Sequence, residues 1–322
     1  MLIALIQIIG GFILLIWAAD RLVAGAAAAA SNLGISPLVI GLTVVGIGTS
    51  APEMVVSAIA ALQGNPGLAV GNAIGSNITN IGLVLGVTAI IYPLTVESGL
   101  LRKEFPILLF IMIIATLLMW DGMLTQVDGY ILLVGLVVLL TYMVIVGMER
   151  GESDPLIQEF EAEIPRDMPM KTAIIWLVVG LILLPLSSAF LVEGAVTIAT
   201  IYGISSTIIG LTIVAFGTSL PELAASISSA LKHEDDIAIG NVIGSNMFNL
   251  LGVLGIGAAI TPIPLESFIL SRDVVVMFAF TFLLFAVAWR LKGVGRITRL
   301  EGVALLMLYL IYTAVVLWQT LA

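Results

Sequence analysis

The chain repeats itself at a distance of 169 residues, and that repetition limits what it can fold into more than any other feature. Residues 35–94 align without a gap onto residues 204–263, with 29 identities in 60 positions. GIGTSAPE, Gly46 to Glu53, returns as AFGTSLPE, Ala215 to Glu222. GNAIGSNITN, Gly71 to Asn80, returns as GNVIGSNMFN, Gly240 to Asn249. The match reaches back to LVAGA (Leu22 to Ala26), which recurs as LVEGA (Leu191 to Ala195). Two halves on one plan, each with a polar patch and one acidic residue, point to an ion-handling site where the halves meet.

The patches sit in apolar surroundings. Hydrophobic residues make up 60% of the 322 positions and charged residues 10%, whereas a soluble domain is about a quarter charged. Runs of about 20 apolar residues are long enough to span a bilayer. Ten occur, at roughly 2–24, 36–62, 68–93, 104–120, 125–147, 171–194, 205–231, 237–262, 272–290 and 298–320. The fold class expected is therefore an all-α membrane protein with ten transmembrane helices. One hydrophilic segment, 148–170, is rich in Glu and Asp and contains Pro155, Pro165 and Pro169. It divides a first five-helix repeat (1–147) from a second (171–322). Five is odd, so the second half enters the membrane from the opposite face, the inverted arrangement used by many secondary transporters.

Positive residues mark the cytoplasmic side of a membrane protein. Arg102, Lys103, Arg150, Arg166, Lys171, Lys232, Arg290, Lys292, Arg296 and Arg299 share one face, against Arg272 on the other, with Arg21 near the end of the first span. The expectation is a multi-pass protein of the cell (inner) membrane, with both termini outside and the acidic linker cytoplasmic. No Lys or Arg precedes the first apolar stretch, which argues for a mature span rather than a signal peptide. Cysteine is absent, excluding disulfides and thiolate metal sites. A net charge of −9 leaves no basic surface for nucleic acid.

Within their spans the polar residues converge on one depth. Thr49 and Thr218 fall at the midpoints of 36–62 and 205–231, with Asn80 and Asn249 near the midpoints of the spans that follow. Thr49, Glu53 and Ser57 step by four, as do Thr218, Glu222 and Ser226; Asn72, Ser76 and Asn80 are matched by Asn241, Ser245 and Asn249. Residues four apart stack on one helical face. Pro52 and Pro221 lack the N–H that would bond the carbonyls of Gly48 and Gly217. A carboxylate at the bilayer centre costs roughly 2.5–3.5 kcal/mol on insertion scales unless it faces partners or water. The cavity offers the carboxylates of Glu53 and Glu222, backbone carbonyls, the hydroxyls of Thr49, Ser50, Thr218, Ser219, Ser76 and Ser245, and the amides of Asn80 and Asn249. Such hard oxygens suit Ca²⁺ and equally Na⁺. Without Cys, and with the one histidine, His233, in a loop, Cu⁺ and Zn²⁺ are disfavoured.

These two doublets resemble the α-repeats of the cation/Ca²⁺ exchanger superfamily, marked by GTSxPE and GNxxGSNxxN, and look closest to its prokaryotic Na⁺/Ca²⁺ exchanger branch. The resemblance implies a secondary antiporter exchanging Na⁺ for Ca²⁺ by alternating access, commonly three Na⁺ for one Ca²⁺. It implies a central Ca²⁺ site of Glu53 and Glu222 with oxygens of Thr49 and Thr218. It implies flanking Na⁺ sites from Ser50, Ser76, Ser219 and Ser245 with the carbonyls of Gly46 and Ala215. Some exchangers, including K⁺-carrying ones, have Asp where this chain has Asn249, so no K⁺ requirement is expected. The H⁺-coupled branch typically carries GNxxE on its acid-bearing helix, where GTSxPE stands here.

Plainer readings compete. The glutamates could be structural contacts between helices, although duplication at midplane argues against it. For Asn72, Asn77, Asn241 and Asn246, interhelical hydrogen bonds or helix caps are at least as good a reading as ion contact. Gly41, Gly46, Gly48, Gly71, Gly75, Gly210, Gly217, Gly240 and Gly244 read as packing residues. The acidic residues of 149–167 read as a solvated linker, and Asp128 and Asp273 as span-end residues. An H⁺-coupled or K⁺-dependent cation antiporter, or a passive cation channel, would use the same oxygens. A hydrolase lacks its usual supports, so no enzyme is expected. No cofactor is expected either: the partners are Ca²⁺, Na⁺ and the bilayer, and a monomer would suffice.

Overall fold

The computed structural model describes residues 1–34, 48, 50–96, 98–150, 168–231, 235–288 and 295–321. Thr49, Gly46 and Gly41, the start of the 36–62 span, His233 and most of the acidic linker lie outside the described residues. Among the described residues, eight helices are long and apolar enough to cross a membrane. Two shorter apolar helices, Ala51–Leu62 and Glu104–Leu118, occupy positions of two further expected spans.

Helix α1 (Leu2–Asn32) is followed by α2 (Ala51–Leu62) and α3 (Pro66–Thr79). A π-helical turn, Asn80–Leu85, joins α3 to α4 (Gly86–Ile91). Strand β1 (Leu94–Val96), α5 (Ser98–Leu118), β2 (Met123–Leu124) and α6 (Gln126–Arg150) complete the first half. The second half opens with α7 (Met170–Tyr202). Its next span is broken into α8 (Ser206–Ile209), a π turn at Gly210–Val214, α9 (Ala215–Thr218) and α10 (Leu220–Leu231). Then come α11 (Asp235–Phe248), a π turn at Asn249–Val253, α12 (Leu254–Ile260) and β3 (Ile263–Pro264). A last π turn, Ile269–Val274, leads into α13 (Val275–Ala288), β4 (Gly295–Ile297) and α14 (Arg299–Leu321).

Burial separates centre from periphery. The spans Pro66–Ile91 and Ala238–Ile260 are each 78% buried, against 17% for Gln126–Ile145, so the two Asn-bearing helices form the core and α6 lies at the periphery. Polar helices can stay there because their backbone bonds are satisfied internally.

Helices α1 and α7 outrun the expected spans 2–24 and 171–194 by about two turns each, because alanine-rich and mixed residues continue the helix past the apolar run. They pack along each other in reciprocal contacts. Gly11 sits against Leu191 while its repeat-mate Gly180 sits against Leu22; Gly25 meets Ala173 and Leu177 while Gly194 meets Ala4 and Ile8. Partner numbers fall as α1 rises, so these repeat-mates run antiparallel. A Cβ at Gly25 would lie 2.6 Å from the Leu177 nitrogen, which is why glycine stands at this crossing. Two antiparallel ribbons also tie the halves, Leu94–Val96 to Gly295–Ile297 and Met123–Leu124 to Ile263–Pro264. Asp128 is more than a span-end residue: with Thr125 it closes a capping box at the start of α6, its Oδ2 accepting the Thr125 hydroxyl at 2.7 Å.

Candidate cation site

Both acid-bearing motifs break the helix at a serine. Ser50 caps α2 with φ −88° and ψ 5°, and Ser219 follows α9 with φ −83° and ψ 5°. This bridge conformation is sparsely populated and common at functional sites. In each motif the proline falls in the first turn of the new helix, where a missing N–H costs least. Glu53 and Glu222 therefore project from first helical turns, the ends at which backbone N–H groups favour negative charge.

Both carboxylates are completely buried, and among the described residues none of their four oxygens has a hydrogen-bond partner. They lie near enough to interact electrostatically, with Thr218 alongside Glu53 and Ser245 alongside Glu222. The Ser50, Ser219 and Ser245 hydroxyls and the Asn80 and Asn249 amide oxygens are likewise buried and, among the described residues, unpartnered. Apart from atoms of Arg21, Thr79, Ser188 and Asp235, every buried side-chain polar atom without a partner among the described residues belongs to this group. Native proteins satisfy nearly all buried polar atoms, so these orphan oxygens make up a candidate cation site. Among the described residues no three His, Asp or Glu side chains converge, which leaves two carboxylates as the formal charge of the site.

Asparagines hold this cluster open. The Asn72 amide donates to the Glu53 carbonyl at 3.3 Å and to Ser57 Oγ at 3.4 Å. Its repeat-mate Asn241 donates to the Glu222 carbonyl at 3.4 Å and to Ser226 Oγ at 3.2 Å. Asn72 Oδ1 accepts from Ser76 at 3.4 Å and from Thr218 at 3.2 Å, so one side chain ties three helices. At the centre the clamps cross between halves. Asn80 donates to Asn246 Oδ1 and Asn249 to Asn77 Oδ1, both at 3.1 Å, while Asn77 and Asn246 donate to each other's carbonyls at 3.3 and 3.4 Å. The hydrogen-bonding reading of Asn72, Asn77, Asn241 and Asn246 accounts for all four. The side-chain oxygens of Asn246 and Asn77 accept the N–H₂ groups of Asn80 and Asn249 from the opposite half, while the Asn80 and Asn249 oxygens keep no hydrogen bond among the described residues.

Of the expected ligands, Glu53, Glu222, Ser50, Ser219, Ser245, Asn80 and Asn249 each carry a buried oxygen without a partner among the described residues. Ser76 is buried and donates to Asn72, and buried Thr218 has its one hydroxyl hydrogen between the Val214 carbonyl at 3.0 Å and Asn72 Oδ1 at 3.2 Å, which leaves lone pairs on both for other use. The Ala215 carbonyl accepts the Ser219 N–H at 3.2 Å and keeps one lone pair. The anchors Asn72, Asn241, Ser57 and Ser226 were not among the expected ligands; identity between halves and a spacing of four were their signal. The π turns beginning at Asn80 and Asn249 had no signal of their own, although such turns gather at functional sites.

Glycines pack as expected at several positions: a Cβ at Gly71 would meet the Thr207 carbonyl at 2.1 Å, and one at Gly217 the Phe12 ring at 1.9 Å. Gly244 is different, with nothing within 4 Å of the added atom. Asp273 also departs from a span-end role. It is fully buried, held by Arg272 at 2.7 and 3.1 Å and by the Tyr312 hydroxyl at 2.8 Å.

Comparison with known proteins gives a consistent picture. The family described as sodium/calcium exchanger protein matches residues 3–148 and 172–318. The putative antiporter CaxA of Alkalimonas amylolytica is 50% identical over 312 residues, covering 97% of this chain and 98% of that protein. The inner membrane protein YrbG of Escherichia coli is 43% identical, covering 92% and 93%, and the sodium/calcium exchanger MaX1 of Methanosarcina acetivorans is 29% identical, covering 96% and 97%. A solved structure of the sodium-calcium exchanger NCX_Mj, soaked with Na⁺ and Sr²⁺, superposes with a TM-score of 0.65 at 35% identity, covering 97% of this chain and 98% of that one. The chain belongs to the sodium/calcium exchanger family, a cation/Ca²⁺ antiporter of the superfamily's prokaryotic branch.

Proposed function

We propose that this protein is a Na⁺-driven Ca²⁺ antiporter working by alternating access in the cell membrane. Ca²⁺ would sit between Glu53 and Glu222 with oxygens of Thr49 and Thr218. Na⁺ ions would use Ser50, Ser76, Ser219 and Ser245, the amide oxygens of Asn80 and Asn249, and the carbonyls of Gly46 and Ala215. The observation that carries this reading is the pair of buried glutamates whose oxygens have no protein partner among the described residues. Leaving two carboxylates uncompensated costs several kcal/mol each; one divalent or two monovalent cations neutralise them. A pocket that either cargo fills, and that neither can share, is the minimum device for exchange.

The architecture proposed is two inverted five-helix repeats, 1–147 and 171–322, joined by a cytoplasmic linker, with both termini outside. Its supports are the antiparallel contact of repeat-mates α1 and α7 and the asymmetry of loop charge. Two such repeats rocking about a common site would open it to one side at a time. The test is ⁴⁵Ca²⁺ flux in reconstituted vesicles with Na⁺, K⁺ and H⁺ gradients imposed singly. Uptake should follow only an opposing Na⁺ gradient. Flux that persists with no exchanging ion on the far side would instead make the protein a channel, and flux driven by the proton gradient alone would reassign the coupling ion.

A further inference from the structure

We propose that Asp20 is the cation-recruiting carboxylate on the route between the buried site and the linker face of the membrane. The inference rests on the antiporter reading. A cavity of about 620 Å³ lies between α1 and the two helix breaks. Its walls include Asp20 and Val23 of α1, Gly48 and Pro52 of the first motif, and Pro221 and Ala224 of the second. Pro52 and Pro221 directly precede Glu53 and Glu222, so the inner wall is the backbone that carries both buried carboxylates. Among the described residues Asp20 is the one charged group lining this space.

The Asp20 side chain is 66% exposed and makes one long ion pair with its neighbour Arg21. Arg21 Nε stands 3.7 Å from Asp20 Oδ2 and makes no hydrogen bond. The guanidinium is drawn instead over Trp17 and Trp176, at 5.8 and 5.0 Å from the ring centroids, as cation–π attraction favours. Direction follows from α1 itself. The Asn32 amide donates to the Met168 carbonyl at 3.0 Å, which sets the C-terminal end of α1 beside the central linker. Asp20 and Val23 lie past the middle of α1 toward that end. A carboxylate in a cleft with low-dielectric walls focuses its field and concentrates cations. Here it would do so one step short of the site, and only for ions arriving from the linker side.

The test is ⁴⁵Ca²⁺ exchange in vesicles of each orientation. Asp20→Asn should raise the half-saturating Ca²⁺ concentration at the linker face roughly three- to tenfold, as loss of a focusing charge predicts. The maximal rate and the opposite face should not change, and Asp20→Glu should restore the wild-type value. The chain contains no cysteine, so Asp20→Cys carries a single thiol. A negatively charged methanethiosulfonate should recover its affinity and a positively charged one should weaken it further, and this modification after folding carries the test even if Asp20→Asn does not assemble. An unchanged half-saturation, or an equal change at both faces, overturns the proposal. So does rescue of Asp20→Asn by Arg21→Gln, which would make Asp20 merely the counter-ion of Arg21. Wild-type exchange with an unaffected Asp20→Asn sinks this inference alone, whereas a wild type without Ca²⁺ exchange removes the antiporter reading beneath it.

Discussion

Replacing Glu53 with glutamine separates a cargo site from a structural contact, because the two roles predict opposite changes in stability. The carboxylate is fully buried and its oxygens have no hydrogen-bond partner among the described residues, so it contributes little to holding helices together when no cation is present. Burying an uncompensated ion costs several kcal/mol, and Glu53→Gln removes one of two such charges without changing shape. The cation-free variant should therefore be more stable than the cation-free wild type, by about 1 kcal/mol or more. For the wild type, Ca²⁺ at a hundred times its dissociation constant adds about 2.7 kcal/mol. At roughly 2–4 °C per kcal/mol for a chain of this order of size, that is a rise of about 5–10 °C in Tm. The variant should lose this rise and lose exchange, and Glu222→Gln should behave alike. Thermal unfolding of detergent-solubilised protein, with and without Ca²⁺, reads both quantities. A variant that is destabilised without cation, or that keeps the full Ca²⁺ shift, would refute the argument and return the glutamates to a structural role.

Asn72→Ala removes two donated and two accepted hydrogen bonds; at about 0.6 kcal/mol each in a membrane interior, the loss is roughly 2 kcal/mol. Thermal unfolding should show it, and the Ca²⁺ half-saturation should rise because the Glu53 carbonyl and Thr218 lose a common anchor. Gly71→Val drives a side chain into the Thr207 carbonyl, so size-exclusion chromatography should give no monodisperse protein. Arg272→Gln strands buried Asp273 and should cost about 3–5 kcal/mol. The double variant with Asp273→Asn should recover most of that in the same melt, with ion affinities unchanged in both. Asn249→Asp places a third carboxylate in the site and deletes the donor to Asn77 Oδ1; its flux should depend differently on Na⁺ and K⁺, and unaltered profiles would remove Asn249 from the ion path.

The candidate site was legible in the sequence because its information is local and duplicated. Four-residue spacing puts Glu53 with Ser57 and Asn72 with Ser76 on shared faces whatever the tertiary arrangement, and a second copy turns each coincidence into a pattern. Apolar runs located the spans for the same reason, since bilayer thickness imposes a length that composition must meet. What stayed hidden depends on which faces meet. Nothing near Asp273 in sequence announces Tyr312, and a carboxylate at a span end reads as interfacial until a tyrosine from another helix covers it. The end of α1 was placed about two turns early because hydropathy reports lipid, and Ser31 and Asn32 continue a helix that packs on α7 instead. The asparagines show the limit most clearly. Asn72 and Asn80 share one face of one span, yet Asn72 spends its side chain on hydrogen bonds while Asn80 keeps its oxygen unpartnered. That division follows from Asn246 of the other half, which accepts the Asn80 amide and so fixes which end of it is left without a partner among the described residues. A repeat can specify the donors of a site, but only the docking of the two halves decides which of them are left free to bind an ion.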